Sequence, residues 1–251
     1  MTAELAEFAK TGFFARIRPD AQITRFQVLG ERSSGTNYAS RLIGKNTSLD
    51  PDTPLGWKHG FPDYRDMPAD LLIIAMVRHA GAWSRSMHKR PWHTRAEMQK
   101  LEFSEFLRAT WDTSFDHAKY FPDEVARGLL GAALTADLDQ DTGAAFDNVF
   151  ALRRAKLTAL LAGASRPGNF ILLRMEPMIA EPEPTLMAIL DAARVSLNGA
   201  GYRGIFKRLG TNFNSKVEPR PKTPNRLSED DRVFMRSQLD ADQERLLGYS
   251  Y

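Results

Sequence analysis

The sequence contains no cysteine among its 251 residues. That absence excludes disulfide bonds, zinc sites built from thiolates and thiol nucleophiles, and it fits a reducing compartment. No stretch approaches the roughly 18 consecutive apolar residues of a transmembrane helix. The first 20 residues carry early acidic side chains and no apolar core, so we expect neither a secretory signal nor an integral membrane segment. These features predict a cytoplasmic protein.

The excess of one sign of charge over the other is also small. The net charge is +3 with a pI near 9.1, which argues against broad nucleic-acid binding and allows a local anion site. An apolar fraction of 43% and a charged fraction of 26% are typical of globular proteins. We find no internal repeat and no convincing linker, so we expect one domain over 1–251, with 1–20 as an N-terminal arm or helix. No pattern indicates an oligomeric state.

Apolar runs alternate with helical periodicity along the chain. Strands are predicted at 23–29, 71–77 and 169–173, and a short strand-like piece at 57–62. Helices are predicted after Gly35, over 95–118, 144–163 and 184–195, and over 228–247 with Ser228 as its cap; a long loop is predicted at 198–226. This alternation predicts an α/β fold of three layers, in which a parallel sheet has helices on both faces. Ligands of such sheets bind at the carboxyl ends of the strands.

One stretch, ITRFQVLGERSSGTNYASRLI at 23–43, predicts a strand, a phosphate-binding loop and a helix. Gly30 and Gly35 have the glycine spacing of the nucleotide-binding P-loop, in which backbone amides and a helix N-terminus surround an anion. Thr36 replaces the lysine of that motif, and Asn37 replaces the hydroxyl that binds Mg²⁺. We therefore expect phosphate binding without the usual route of triphosphate cleavage. A purely structural turn is the alternative.

Arg78 ends the second strong strand, and Ser86 follows eight residues later. An arginine at a strand end offers a planar set of donors to phosphate, and a serine can add a hydroxyl. A triphosphate hydrolase would carry an acid here to hold Mg²⁺. The positive charge of Arg78 predicts that a second phosphate is bound here without a metal. The alternative is an ordinary surface arginine, which would look the same in the sequence.

These motifs resemble the sulfotransferases that use 3′-phosphoadenylyl sulfate (PAPS). That family has a P-loop-like fold whose Ser-Gly-Thr loop holds the 5′-phosphosulfate, while an Arg and a Ser eight residues apart grip the 3′-phosphate. The matching positions here are Arg32, Ser33, Ser34, Gly35, Thr36, Asn37, Arg78 and Ser86. Lesser matches are WKHGFP at 57–62, LLRMEPMI at 172–179 and the His88 region.

Two positions depart from the family pattern. Its basic residue directly precedes Ser-Gly-Thr, whereas Ser33 stands there and Arg32 lies one further back. Its basic-Gly loop over the adenosine has only loose counterparts, at Lys207, Arg208, Gly210 and Lys216.

The resemblance implies PAPS as donor, a small-molecule or glycan acceptor with a hydroxyl or amine, and no metal. His59 is the first candidate for the base because the intrinsic pKa of histidine lies near neutrality, and Glu176 is the alternative base. Arg32, the loop amides and Lys58 are assigned to the charge on the leaving oxygen. Two rival functions stay open: a Mg²⁺-dependent nucleotide kinase or hydrolase with a degenerate loop, and a non-catalytic nucleotide-binding module. The sequence does not specify the acceptor.

Overall fold

A computed structural model describes residues 3–199, 201–206 and 213–251. Its elements in chain order are α1 (Ala3–Thr11), β1 (Phe13–Arg16), β2 (Arg25–Gly30), α2 (Thr36–Asn46), β3 (Asp50–Pro51), β4 (Leu71–Val77), α3 (Ala80–Lys89), α4 (Ala96–Lys100), α5 (Phe103–Arg108), α6 (Pro122–Ala126), α7 (Val149–Ala162), β5 (Asn169–Arg174), α8 (Met175–Ala180), α9 (Pro182–Ala193), α10 (Glu229–Gln238) and α11 (Ala241–Leu246). The chain forms two compact units. Of the described residues, those within 1–79, 156–211 and 240–251 form the first unit, and those within 80–155 and 212–239 form the second.

The first unit is an α/β fold built on a five-stranded sheet in the order β1-β5-β4-β2-β3. Strands β2, β4 and β5 pair parallel with one another, as the sequence predicted. The two-residue β3, which was not predicted, pairs parallel with β2. The prediction of an all-parallel sheet is wrong at one edge, where β1 pairs with β5 antiparallel and Phe13 lies opposite Leu173. The paired phenylalanines at 13 and 14 belong to this four-residue strand, which is too short for a pattern to distinguish it from the preceding helix.

Both faces of the sheet are covered, which confirms the layered arrangement. On β4, Ile73 and Ala75 face a core that includes Phe8 of α1 and Leu157 of α7. Alternate residues of the same strand face a second core with Leu42 of α2 and Leu186 of α9. Because successive side chains of a strand point to opposite faces, a strand buried on both faces is apolar throughout. That is why the strand at 71–77 was predicted with its observed bounds.

The second unit has short helices around an aromatic core. Trp83 packs on Phe150 with ring centroids 6.3 Å apart, and Phe106 on Trp111 at 5.7 Å. The predicted helix over 95–118 is wrong: α4 ends at Lys100 and α5 at Arg108. Glu102 interrupts it, because its backbone is extended while its side chain and that of Glu105 form a reciprocal capping box at the start of α5.

Two further predictions are corrected. The single helix expected over 228–247 is α10 and α11, since Asp240 adopts an extended backbone and its carboxylate accepts the amides of Asp242 and Gln243 at 3.0 Å. The predicted cap of α10 is confirmed, with Ser228 Oγ accepting the Asp231 amide at 3.1 Å. The strand-like piece predicted at 57–62 is wrong, because this segment contains a turn at 58–60 and no strand. None of the helices in the described part of the chain has the length and apolarity that crossing a bilayer requires.

Candidate functional site

The loop between β2 and α2 lies beside the middle of the sheet, at the carboxyl end of β2. Gly35 is the N-cap of α2, with φ of 95°, and no side chain caps the helix. The hydroxyls of Ser33, Ser34 and Thr36 therefore do not cap this helix. The first amides of a helix have no acceptor within it, and a glycine cap leaves them available to an anion.

The serines of the loop shape its backbone. Ser34 is fully buried, and its hydroxyl and amide both donate to the Glu31 carbonyl, at 2.7 and 3.2 Å. Ser33 has a left-handed backbone with φ of 66°. The Ser34 hydroxyl thus stabilises the turn, so an anion at this loop would be bound mainly by backbone amides.

Residues 58 and 59 are fastened to the last residue of β2. The Gly30 amide donates to the Lys58 carbonyl at 3.0 Å, and His59 Nδ1 lies 2.7 Å from the Gly30 carbonyl oxygen. A carbonyl only accepts hydrogen bonds, so Nδ1 must carry the proton and Nε2 the lone pair. His59 is therefore fixed in the tautomer that can accept a proton at Nε2.

Lys58 reaches the first turn of α2. Its Nζ donates to Asn37 Oδ1 at 2.6 Å, and burial lowers the pKa of this lysine. Asn37, which occupies the position of the missing metal-binding hydroxyl, thus positions an ammonium group. The structure brings the predicted Lys58 and Asn37 together at the N-terminus of α2.

Arg78 meets the loop from the neighbouring strand. It follows β4, which pairs with β2 in a register that sets Met76 opposite Gly30. Its Nη1 donates to the Ser33 carbonyl at 2.9 Å. Arg78 and the loop are therefore joined by a direct contact.

Glu176, the alternative base, has both carboxylate oxygens engaged. Oε1 accepts the His79 amide and Oε2 accepts the Tyr249 hydroxyl, each at 2.9 Å. It also lies in the first turn of α8, where an acid interacts favourably with the helix dipole. These contacts favour a structural role for Glu176 and leave His59 as the stronger candidate base.

Lys156, a residue that sequence reasoning missed, joins Arg32 at this cluster. Arg32 is 4% exposed and its guanidinium lies 5.7 Å from the centre of the Trp57 ring. Lys156, 5% exposed on α7, has its ammonium 5.7 Å from the same ring and 5.5 Å from that of Phe61, and it donates to the His59 carbonyl. The sequence signal that could have identified Lys156 is its position in the apolar stripe of the helix predicted over 144–163.

The surroundings of His59 keep its imidazole neutral. Burial is the largest cause that holds the pKa of His59 well below its usual value, followed by the charge of Lys58, with smaller effects of Arg32 and Lys156. The hydrogen bond to Gly30 acts in the opposite direction. A neutral imidazole with a lone pair on Nε2 lies among cations, an arrangement that can bind an anion and accept a proton.

We expect Lys58→Met to raise the pKa of His59, because the largest charge effect on the imidazole is removed. A histidine NMR titration of the protein without ligand measures the change. Lys58→Arg is the matched control, since it keeps the positive charge and should keep the depressed pKa. An unchanged His59 pKa in Lys58→Met would contradict this account of the site.

The remaining predicted residues belong to the second unit or fall outside the described residues. Ser86 is a partly buried residue of α3 in the second unit, whereas Arg78 belongs to the first. In the second unit, Lys216 Nζ donates to the Thr94 carbonyl at 2.8 Å and lies 3.4 Å from Asp116. The predictions for Lys207, Arg208 and Gly210 fall outside the described residues.

Within 3–199, 201–206 and 213–251, no group of three or more His, Asp or Glu side chains is arranged to hold a metal ion.

Comparisons of the chain with protein-family models, with curated proteins and with solved structures gave no significant match.

Proposed function

We propose that this protein is a sulfotransferase that moves a sulfuryl group from PAPS to a hydroxyl or amine acceptor, a carbohydrate among the candidates. Its first unit would then be a P-loop-like fold that binds a 3′-phosphorylated nucleotide. The observation that carries the proposal is the position of residues 58 and 59. They bring an ammonium group and a neutral imidazole against a glycine loop at a helix N-terminus.

The chemistry of the residues around the loop fits an anionic donor. Three cations, Arg32, Lys58 and Arg78, contact this loop, its first helical turn or the adjoining Trp57, and the loop itself contains one acid, Glu31. Amides at the start of α2 and Lys58 would hold the 5′-phosphosulfate. Arg78 would hold the 3′-phosphate through its planar donors. The part assigned to Ser86 stays a prediction from sequence spacing.

The proposed reaction is an in-line displacement at sulfur. The acceptor oxygen or nitrogen forms a bond to sulfur as the bond from sulfur to the bridging phosphate oxygen breaks. His59 Nε2 takes the acceptor proton, and the bridging oxygen leaves with its electron pair as part of 3′,5′-adenosine bisphosphate. Lys58, Arg32 and the loop amides stabilise the negative charge on that oxygen.

Thermal unfolding with ligands tests the nucleotide specificity. We expect 3′,5′-adenosine bisphosphate to raise the Tm in EDTA, since a ligand at 100 times its Kd stabilises the native state by about 2.7 kcal/mol. Arg78→Ala should reduce this shift. Arg65→Ala is the control, because Arg65 is an exposed arginine of the same unit whose ion pair is with Asp63.

Two results would contradict the proposal. A shift with ATP that requires Mg²⁺, beside none with the bisphosphate, would favour a nucleotide kinase or hydrolase. A bisphosphate shift without transfer to any carbohydrate, phenol or amine in an acceptor panel would favour a non-catalytic nucleotide-binding module.

A further inference from the structure

Positive charge is concentrated in two stretches of the second unit. Residues 80–96 contain four Lys and Arg and no acid, and residues 213–226 contain four Lys and Arg and one acid, Glu218. Their net charges are +4 and +3, whereas the whole chain carries +3, so the rest of the chain is net acidic. A local excess of this kind is not explained by the overall composition.

The fold packs these two stretches against each other. Arg220 donates to the carbonyls of His88 and Lys89, at 2.7 and 2.9 Å. His88 Nε2 lies 3.0 Å from the Leu101 carbonyl, so it carries the ring proton and Nδ1 accepts the Thr223 hydroxyl at 2.7 Å. The segment 220–223 is therefore fixed along the last turn of α3.

A further contact extends this pairing toward the start of α3, because Arg85 donates to the Asn225 carbonyl. We name the resulting surface the basic strip. Its cations are Arg85, Lys89, Arg220, Lys222 and Arg226. Lys89, Lys222 and Arg226 are exposed, and the other two are partly buried.

None of the five cations of the basic strip forms an ion pair with a carboxylate in the described ranges of the chain. Elsewhere in this unit surface cations do so, as Arg232 and Arg236 pair with Glu229 at 2.9 and 3.1 Å. The Lys89 charge is favourable at the C-terminus of α3, but the dipole does not compensate the charges on 220–226. The strip therefore presents uncompensated positive charge to solvent.

Such a surface attracts a polyanion, and the neighbouring aromatic residues indicate which kind. Proteins that bind single-stranded nucleic acid combine cations with aromatic rings on which bases stack. Here Trp92 and Phe213 pack edge to face, 5.4 Å apart, and the Arg220 guanidinium lies 5.6 Å from the centre of the Phe213 ring. The ring of Phe213 is thus engaged with protein, which favours a partner recognised by charge alone.

We infer that the basic strip binds an acidic polysaccharide, whose carboxylates interact with the exposed Lys89, Lys222 and Arg226. Arg85 and Arg220, which donate to backbone carbonyls, add positive charge beside them. The inference rests on the proposed function, because it identifies the acceptor as an anionic glycan with free hydroxyls. Arg226 presents paired donors that match a carboxylate, and Lys89 and Lys222 contribute charge without a fixed geometry.

Binding of a galacturonate oligomer to the full chain tests the inference, with neutral dextran and polyuridylate as comparison ligands. We expect the oligomer to bind, dextran not to bind, and added salt to weaken binding because exposed charges are screened. The triple variant Lys89→Ala, Lys222→Ala, Arg226→Ala should weaken binding about tenfold or more, since each exposed charge contributes modestly. The control Lys100→Ala, Lys119→Ala, Arg127→Ala removes three exposed charges elsewhere in the unit and should bind normally.

Three results of the binding experiment would overturn the inference: absence of oligomer binding, tighter binding of polyuridylate, or equal weakening by the two triple variants. The Tm shift with 3′,5′-adenosine bisphosphate is measured on the same proteins and should be unchanged in both. Loss of that shift in the Lys89, Lys222 and Arg226 variant alone would assign the basic strip to the nucleotide and also overturn the inference. If 3′,5′-adenosine bisphosphate does not raise the Tm of the wild-type protein, that result would instead contradict the proposed function.

Discussion

We expect His59→Ala to lower the rate of the proposed sulfuryl transfer by about 10²-fold to 10⁴-fold, the usual contribution of a positioned general base. The reason is the fixed tautomer, in which the Gly30 carbonyl holds the proton on Nδ1 and leaves Nε2 as the acceptor. Transfer is measured with sulfur-labelled PAPS and a panel of carbohydrate, phenol and amine acceptors. The Tm shift with 3′,5′-adenosine bisphosphate should persist, because the phosphates are assigned to other residues.

The variant His59→Gln distinguishes two roles of the His59 side chain: acceptance of a proton, and the hydrogen bond that holds it to Gly30. A glutamine amide can donate to the Gly30 carbonyl, but it cannot accept a proton near neutral pH. We expect the transfer rate to be as low as in His59→Ala, with the thermal stability closer to wild type. Transfer at the wild-type rate in either variant would exclude His59 as the base.

Gly30→Ala should destabilise the fold by about 3 kcal/mol, from backbone strain together with overpacking. Gly30 has φ of 152°, and a Cβ there would lie 2.5 Å from the Met76 carbonyl oxygen and 2.7 Å from Ser34 Oγ. The first of these atoms belongs to the backbone of a central strand and cannot move aside. Urea denaturation measures the change in the free energy of unfolding.

Gly56→Ala is the matched control for this variant. Gly56 also has a positive φ, of 90°, but no atom lies within 4 Å of its added Cβ. It should therefore show only the cost of the left-handed backbone, about 1 kcal/mol. Equal losses in the two variants would show that close packing between β2 and β4 does not restrict position 30.

The parallel strands β2, β4 and β5 were predictable from sequence because each contains an apolar run that a doubly covered sheet can bury. The edge strand β1 was not, since four residues carry no periodicity. The prediction of one helix over 95–118 was wrong for a different reason. In the sequence, Glu102 and Glu105 look like ordinary surface acids. In the structure they form the capping box of α5, so a new helix begins after Glu102.

The candidate site was predictable where chemistry follows a strand end, as with Arg78 and the loop after Gly30. Lys58 and His59 were named only through a resemblance, and their contacts come from turns that no periodicity describes. Lys156 was missed because it reaches the site from α7, about 100 residues further along the chain. Proximity of that kind depends on the tertiary fold rather than on any local pattern.

The proposed function requires that the first unit binds a 3′-phosphorylated adenosine nucleotide without a metal. Calorimetry in EDTA, comparing 3′,5′-adenosine bisphosphate with 5′-AMP, tests it most directly because the ligands differ only in the 3′-phosphate. We predict that the bisphosphate binds about tenfold to a hundredfold more tightly, as expected for a charge-assisted contact with Arg78. Equal affinity for the two nucleotides, or no binding of either, would contradict the claim.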